Sequence, residues 1–366
     1  MSNERESSWP SFVESARRTA AETLAHRPTI QADVDAVDVD EQRLKLLADQ
    51  VLHAAWQASD LVHDDALPTA VLVDRAAWAD QTAVDYGATL ASAWERGLAV
   101  AGDEGPVPGE TNLVRWVDRF PGGIQGVWGA VLGMICAQNA ERAIGEFELP
   151  VPRPRRPTLM VVPSNLARFS TYLGLGFDEA VRWAMWHDGV RYAIAMQSAV
   201  ASWTARLIAR YPSMYRWDPA ALQRFLPIDL HQGEETVNGM FDILVTNEQR
   251  YIGARLRMLN ALATAYASHL AVQDEGRSFG VTPRISAAIS SRNMALPVEL
   301  WLSERLLGLR CDAMDYTSAD AFVAAIAQDK GADWFRMLWI SRDSFPKVHE
   351  FDHPDIWLER VSRSAS

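Results

Sequence analysis

The stretch Pro150-Val-Pro-Arg-Pro-Arg-Arg-Pro157 puts four prolines into eight residues. Each proline lacks a backbone N–H and restricts the residue before it, so neither a helix nor a central strand can run through this segment. It reads as a connector between two halves of the chain, and its three arginines as solvated loop charges. Directly after it, Leu159-Met-Val-Val162 is a short apolar run stopped by Pro163, which suits a short or edge strand.

On both sides of the connector, apolar residues recur at helical spacing. Residues 1–43 hold a short helix from Phe12 to Leu24 and then an acidic piece from Asp33 through Asp40 and Glu41. Asp alternating with Val and Ala suits a solvated linker, and it lacks the Gly and closing Glu of a calcium loop. In the helical half 44–149, Leu44, Leu47, Val51, Ala54 and Ala55 mark one helix, and Trp78, Val84 and Leu90 another. Val71-Leu72-Val73 is a strand or a helix entry. A further amphipathic pattern runs from Phe120 to Ala143, opened by Pro121-Gly-Gly123.

The half from 158 to 362 carries the two longest helix candidates. One has Asp178 as N-cap and Glu179 in its first turn, and runs to Tyr211 before Pro212. The other starts near Glu234 and Glu235 and continues toward Gln273. Shorter helices are predicted at Pro297–Leu307, Ser318–Gln328 and Gly331–Leu338. Strand signals are few, so the predicted class is mainly α.

Charge and motif content narrow the function. A net charge of −12 and a pI near 5.2 argue against nucleic acid and anionic membrane as partners, since both require clustered Lys and Arg. The opening residues MSNERESSWP have no apolar segment of a secretory signal, and no apolar run approaches the ~18 residues of a membrane span. A cytoplasmic protein is expected, with Cys136 and Cys311 as buried free thiols. Gly122-Gly123 and the glycines from Gly126 to Gly133 lack the context of a phosphate loop, and no G-x-S-x-G elbow occurs.

The candidate chemistry lies in Trp186-His187-Asp188-Gly189-Val190-Arg191-Tyr192. On a helix, positions i and i+4 share a face. Zinc peptidases use that spacing as HExxH, with two His ligands one turn apart and a Glu that activates the metal-bound water. Here the frame reads H-D-x-x-R. The surrounding blocks are Thr158 to Asn165, Phe177-Asp-Glu179 and Trp183, then Val73-Asp-Arg75 with Trp78, and Ile144-Gly-Glu-Phe-Glu148. Arg305 to Leu309, Tyr316, Phe322-Val323, Phe345-Pro346, and Asp352 to Pro354 with Trp357 and Arg360 follow in order. Together they resemble an actinobacterial family of zinc-dependent metallopeptidases over about residues 45–361. Members are also labelled hydrolases or proteins associated with deazaflavin-cofactor biosynthesis.

The resemblance implies a zincin-like helical fold with few short strands, and a third zinc ligand, a Glu, in an E-G-(H/Y)-A-D motif on a later helix. The matching stretch is Thr264-Ala-Tyr-Ala-Ser268, which puts Thr264 at the Glu position. A register matching His269 to the motif would put Ala267 there. On this resemblance the vestigial ligand positions are His187, Arg191 and Thr264, and Asp188 is the vestigial general-base position. Arg191 cannot ligate a metal, because a guanidinium has no free lone pair.

No zinc or other cofactor is therefore expected, and the chain reads as a catalytically degenerate relative that binds a peptide, protein or small molecule, or serves a structural role. The alternative is a working metal-dependent hydrolase that recruits substitute ligands such as His269, His231 or Glu248 beside His187. A third reading is a helical protein whose likeness extends to the fold alone. Read without the resemblance, His187 is an ordinary hydrogen-bonded histidine, Asp188 and Arg191 are an i, i+3 ion pair, and Trp183, Trp186 and Trp203 are core. His349 and His353 stand four apart in a turn-like context and read as surface residues.

Overall fold

The computed structural model describes residues 8–26, 40–61, 67–103, 123–147, 153, 156–211, 245–273, 311 and 313–365. Helix α1 (Ser8–His26) buries Phe12, Ala16 and Ala20 at four-residue spacing. The helix that packs on it, α4 (Gly123–Ala140), explains the glycines of its sequence. A Cβ on Gly129 or Gly133 would overlap the carbonyl oxygens of Phe12 or Ala16, and Ser15 Oγ donates to Gly126 O at 2.8 Å. These glycines are the surface on which α1 lies. Gly133→Val is expected to destabilise the protein by about 1–3 kcal/mol in denaturant unfolding, since backbone on both sides must yield. An unchanged midpoint would mean that α1 does not sit there.

Helix α2 (Glu41–Ala58) begins where Asp40 accepts the Arg43 N–H at 2.9 Å, so the end of the acidic stretch is an N-cap. The rest of that stretch lies outside the described residues. The two apolar runs form β1 (Thr69–Leu72) and β2 (Thr158–Val161), paired in parallel with Thr69 opposite Thr158. Between them come α3 (Arg75–Asp103) and α4. The described connector residues, Arg153, Arg156 and Pro157, lie outside helix and strand, and these two arginines are not free surface charges. The side chains of Arg153 and Arg156 are only 3% and 24% exposed, and both enter a buried ionic cluster described below.

After β2, Pro163 opens α5 (Pro163–Leu173), and Gly174 ends it at φ 63°, a left-handed value that glycine adopts without a Cβ clash. The first long helix is not continuous. α6 (Phe177–Met196) and α7 (Ser198–Arg210) are separated at Gln197, whose ψ of 120° is extended. No Gly or Pro marks that break. Asp178 lies inside the first turn of α6, and Gly176 is its N-cap.

The second long helix, α8 (Asn247–Gln273), is preceded by non-helical Val245 and Thr246; residues 234–244 lie outside the described set. Its start is a reciprocal cap. Gln249 N donates to Thr246 Oγ1 at 3.2 Å, and Thr246 N donates to Gln249 Oε1 at 2.9 Å. The predicted helix at Pro297–Leu307 also lies outside the described residues.

The C-terminal elements are α9 (Ala313–Lys330), a 3₁₀ turn (Ala332–Leu338), α10 (Val348–Phe351) and α11 (Pro354–Ala365). The turn-like context of His349 and His353 leads into α11, with Pro354 at its first position, where a missing N–H costs nothing. The buried Glu350 ties α11 down: Arg360 donates to its two carboxylate oxygens at 2.6 and 2.8 Å.

Two hydrophobic clusters form among the described residues, one around α1, α3 and α4 and one around α2, α6, α8 and the C-terminal helices. Among these residues helix dominates, with two short strands, and the fold class is mainly α. No described helix is long and apolar enough to cross a membrane.

Candidate functional site

The site is built where α6 lies between α2 and α8. Gly189 lets α2 approach, because a Cβ there would come within 2.7 Å of Ala55 Cβ. On the other side Trp186 is fully buried and donates its indole N–H to Ala267 O of α8 at 2.9 Å. Trp183, Trp186 and Trp203 are all buried, so these tryptophans are core. This packing fixes the rotation of α6 and turns the faces bearing His187, Asp188 and Arg191 inward.

His187 is 5% exposed, and its ring stacks on Trp183 with centroids 4.2 Å apart. Its Nε2 is buried with no hydrogen-bond partner among the described residues, so the reading of His187 as an ordinary satisfied histidine fails at that atom. Burial, and then the nearby Arg191 guanidinium, push its pKa down to about 3. The ring is neutral at physiological pH.

Asp188 and Arg191 do not pair with each other; both hold the loop Gly145-Glu146-Phe147. Glu146 N donates to Asp188 Oδ2 at 2.6 Å, and a Cβ on Gly145 would fall onto that carboxylate. Arg191 Nη1 donates to Phe147 O and Nη2 to Thr264 Oγ1, both at 2.5 Å. The Thr264 hydroxyl gives its own proton to Asn260 O at 2.9 Å, so toward Arg191 it acts as acceptor. The expected i, i+3 ion pair of Asp188 with Arg191 is therefore corrected: the partners of Arg191 are two neutral oxygens. The same hydrogen bond brings α6 and α8 together at Thr264.

Behind the loop lies a cluster that sequence reasoning missed. Asp85 and Glu146, each 2% exposed, face Arg153 and Arg156. Arg153 donates to Asp85 Oδ2 and Thr82 Oγ1, both at 2.9 Å, and its guanidinium lies 4.8 Å from the Tyr86 ring centroid. Arg156 Nη2 reaches Asp85 Oδ2 at 2.7 Å and Glu146 Oε1 at 2.8 Å. Glu146 Oε2 also accepts the Met160 N–H of β2 at 2.8 Å. One loop thus joins the connector, β2 and α6. An Ile-Gly-Glu-Phe block was the only sequence signal, and it names no partner.

The other candidates disperse. His269 is half-buried beside Phe335 and Gln273. Glu248 pairs with Arg210 at the start of α8, roughly 24 Å of helix from Thr264. His231 lies outside the described residues, and His349 and His353 are exposed. Cys136 is a buried free thiol, as expected, whereas the free Cys311 is half-buried. Burial pushes the Cys136 thiol up to about 12.

A zinc site needs three or four donors bearing lone pairs. His187 could supply one, Arg191 supplies none, and Thr264 offers a neutral hydroxyl already engaged on both sides. Among the described residues, no group of three His, Cys, Asp or Glu side chains is placed to hold a metal. This residue set does not fit a zinc ion.

The sequence profile of a zincin-like metallopeptidase family matches residues 11–358. The chain belongs to the zincin-like metallopeptidase family. The match takes in α1, which lies ahead of the blocks that carry the resemblance in the sequence. A crystal structure from Chloroflexus aurantiacus, described as a "putative hydrolase with a novel fold", superposes on the zincin-like chain with a TM-score of 0.59. It is 17% identical, over 96% of this chain and 98% of that one, so the likeness is one of fold. No curated protein matches. In this zincin-like chain, the helix carrying the H-D-x-x-R frame packs against the helix carrying Thr264, and Arg191 bridges them.

Proposed function

We propose that this zincin-like protein is a non-catalytic member of its family, a binding protein built on a peptidase frame. The observation that carries this reading is the hydrogen bond from Arg191 to Thr264. It sets a permanent cation between the residues aligned with the second and third ligands, where a metal ion would have to sit. The Asp188 carboxylate, aligned with the general base, accepts a backbone N–H instead of facing an open cleft. Its ligand is then a peptide, protein or small molecule of the cytoplasm. The net charge of −12 disfavours nucleic acid and anionic membranes.

Protein purified without added zinc is expected to carry far less than one zinc per chain after dialysis, by elemental analysis. It is also expected to show no chelator-sensitive peptide or ester hydrolysis. One retained zinc per chain, or hydrolysis abolished by chelator and by His187→Ala, would establish an active enzyme with substitute ligands.

A further inference from the structure

Trp183, His187 and Arg191 follow one another at four-residue intervals on α6 and so form one stripe of the helix. Each has a buried nitrogen with no hydrogen-bond partner among the described residues: Trp183 Nε1, His187 Nε2 and Arg191 Nε. Trp183 and His187 are 8% and 5% exposed. The indole and guanidinium nitrogens are obligate donors, and a neutral imidazole can present a donor in the matching tautomer. Leaving three such donors dry on one stripe would cost about 1–3 kcal/mol each, a cost that an occupant accepting hydrogen bonds removes.

Charge narrows the choice between water and ligand. Arg191 uses two of its five N–H groups on neutral oxygens and has no ion pair with a described carboxylate. Asp188, the nearest acid in sequence, directs Oδ2 to the loop N–H. A half-buried guanidinium whose Nε is shut off from solvent, balanced only by neutral acceptors, is completed by an anion, and water brings no charge. The donors still free on Arg191 include Nε–H, which with an adjacent Nη–H forms the planar two-point edge that fits a carboxylate.

We propose that the Trp183–His187–Arg191 stripe binds a carboxylate, seated on Arg191 Nε and His187 Nε2, with the Trp183 indole N–H offered to a second acceptor of the same ligand. This deepens the non-catalytic reading and rests on it, since an anion replaces the cation of the family's site. The carboxylate could belong to a small free acid or to the C-terminus of a peptide, and both present the same two oxygens.

The test uses the full chain and NMR of its indole and guanidinium N–H resonances, with Trp183 assigned through Trp183→Phe. Acetate, an acetylated dipeptide with a free C-terminus, and the same dipeptide as its C-terminal amide are titrated separately. The expected result is a saturable shift of the Trp183 and Arg191 Nε–H signals with the carboxylates and none with the amide. Tighter binding of the dipeptide acid than of acetate would identify a peptide C-terminus as the source, and equal binding a small acid. Arg191→Gln should weaken binding by about tenfold or more.

Because Arg191 also holds Phe147 and Thr264, Thr264→Val serves as the second variant. It keeps the guanidinium and should keep carboxylate binding. Binding of the amide as strong as that of the acid, affinity unchanged by Arg191→Gln, or no shift with any carboxylate overturns the proposal. Zinc measured on the same preparation separates the two failures. A zinc-free protein that ignores carboxylates removes only this site, whereas a zinc-loaded one removes the non-catalytic reading as well.

Discussion

A chain carrying Arg191→His together with Thr264→Glu is expected to bind one zinc ion per chain, in contrast to the far smaller content expected of the natural sequence. His187 and residue 191 stand one turn apart on α6, the spacing at which two imidazoles converge on a metal. Residue 264 faces them, because the natural Arg191 reaches its side chain at 2.5 Å. His187 is neutral, and its Nε2 can face a metal in the tautomer that leaves that nitrogen its lone pair. Replacing the guanidinium removes the charge that opposes a cation, and the new Glu supplies an anionic donor at the ~2.0–2.2 Å that zinc requires.

Asp188→Glu should not be added at the same time. Gly145 lies against the Asp188 carboxylate with no room even for a methyl group, so an extra methylene would push the loop away. Elemental analysis after dialysis, with and without chelator, reads the outcome. A folded double variant that retains no zinc would show that residue 264 is not the third-ligand position.

Asp85→Ala should lower the free energy of unfolding by about 3–5 kcal/mol, the cost of leaving buried charge without its partner. Asp85 accepts from Arg153, Arg156 and Gln81 at once. Without it, Arg153 at 3% side-chain exposure keeps the neutral Thr82 hydroxyl at 2.9 Å, and its remaining described carboxylate, Glu146, stands at 3.6 Å. The cluster is balanced, two carboxylates against two guanidinium groups, so removing one carboxylate leaves a net buried cation. Glu146 also carries the backbone N–H that Asp188 accepts. The loss should therefore loosen the loop over the site as well, seen as faster hydrogen exchange at Glu146. A loss below about 1 kcal/mol would mean that water reaches the cluster and screens it, as it does at surface ion pairs.

Together the two experiments address one arrangement from both ends. The loop Gly145–Phe147 is held on one side by Asp188 and Arg191, and on the other by the arginines of the proline connector. Asp188 and Arg191, which the resemblance sets at the general-base and second-ligand positions, have structural partners here.

Some of this was legible in the residues alone. Apolar spacing placed α2 and the C-terminal ends of α8 and α9 to within a few residues, because burial of one helical face needs only local periodicity. By contrast, α8 starts at Asn247 and not near Glu234 and Glu235. Pro157, the described proline of the connector, stands outside helix and strand just before β2 starts at Thr158, since a missing N–H acts wherever the chain goes. The one-turn spacing of His187 and Arg191, and the absence of lone pairs on a guanidinium, also follow from sequence and covalent chemistry. The family followed from the order of the blocks.

The remaining features depend on residues far apart in the chain. The break at Gln197 has no Gly or Pro to announce it, and it lets α7 bury Val200, Trp203 and Ile208 on its own course. Arg153 and Arg156 looked solvated because a loop of prolines has no period and gives no sign of burial. Their partners Asp85 and Glu146 come from a helix about 70 residues away and from a loop before the connector. Asp188 was expected to meet Arg191 because the two are three apart on one helix. Tertiary structure chose otherwise: the Glu146 N–H and the Phe147 carbonyl needed partners once buried, and these two side chains were within reach. Local sequence determined which groups stand on α6, and only the packing of the loop and α8 against it decided which of them met a partner.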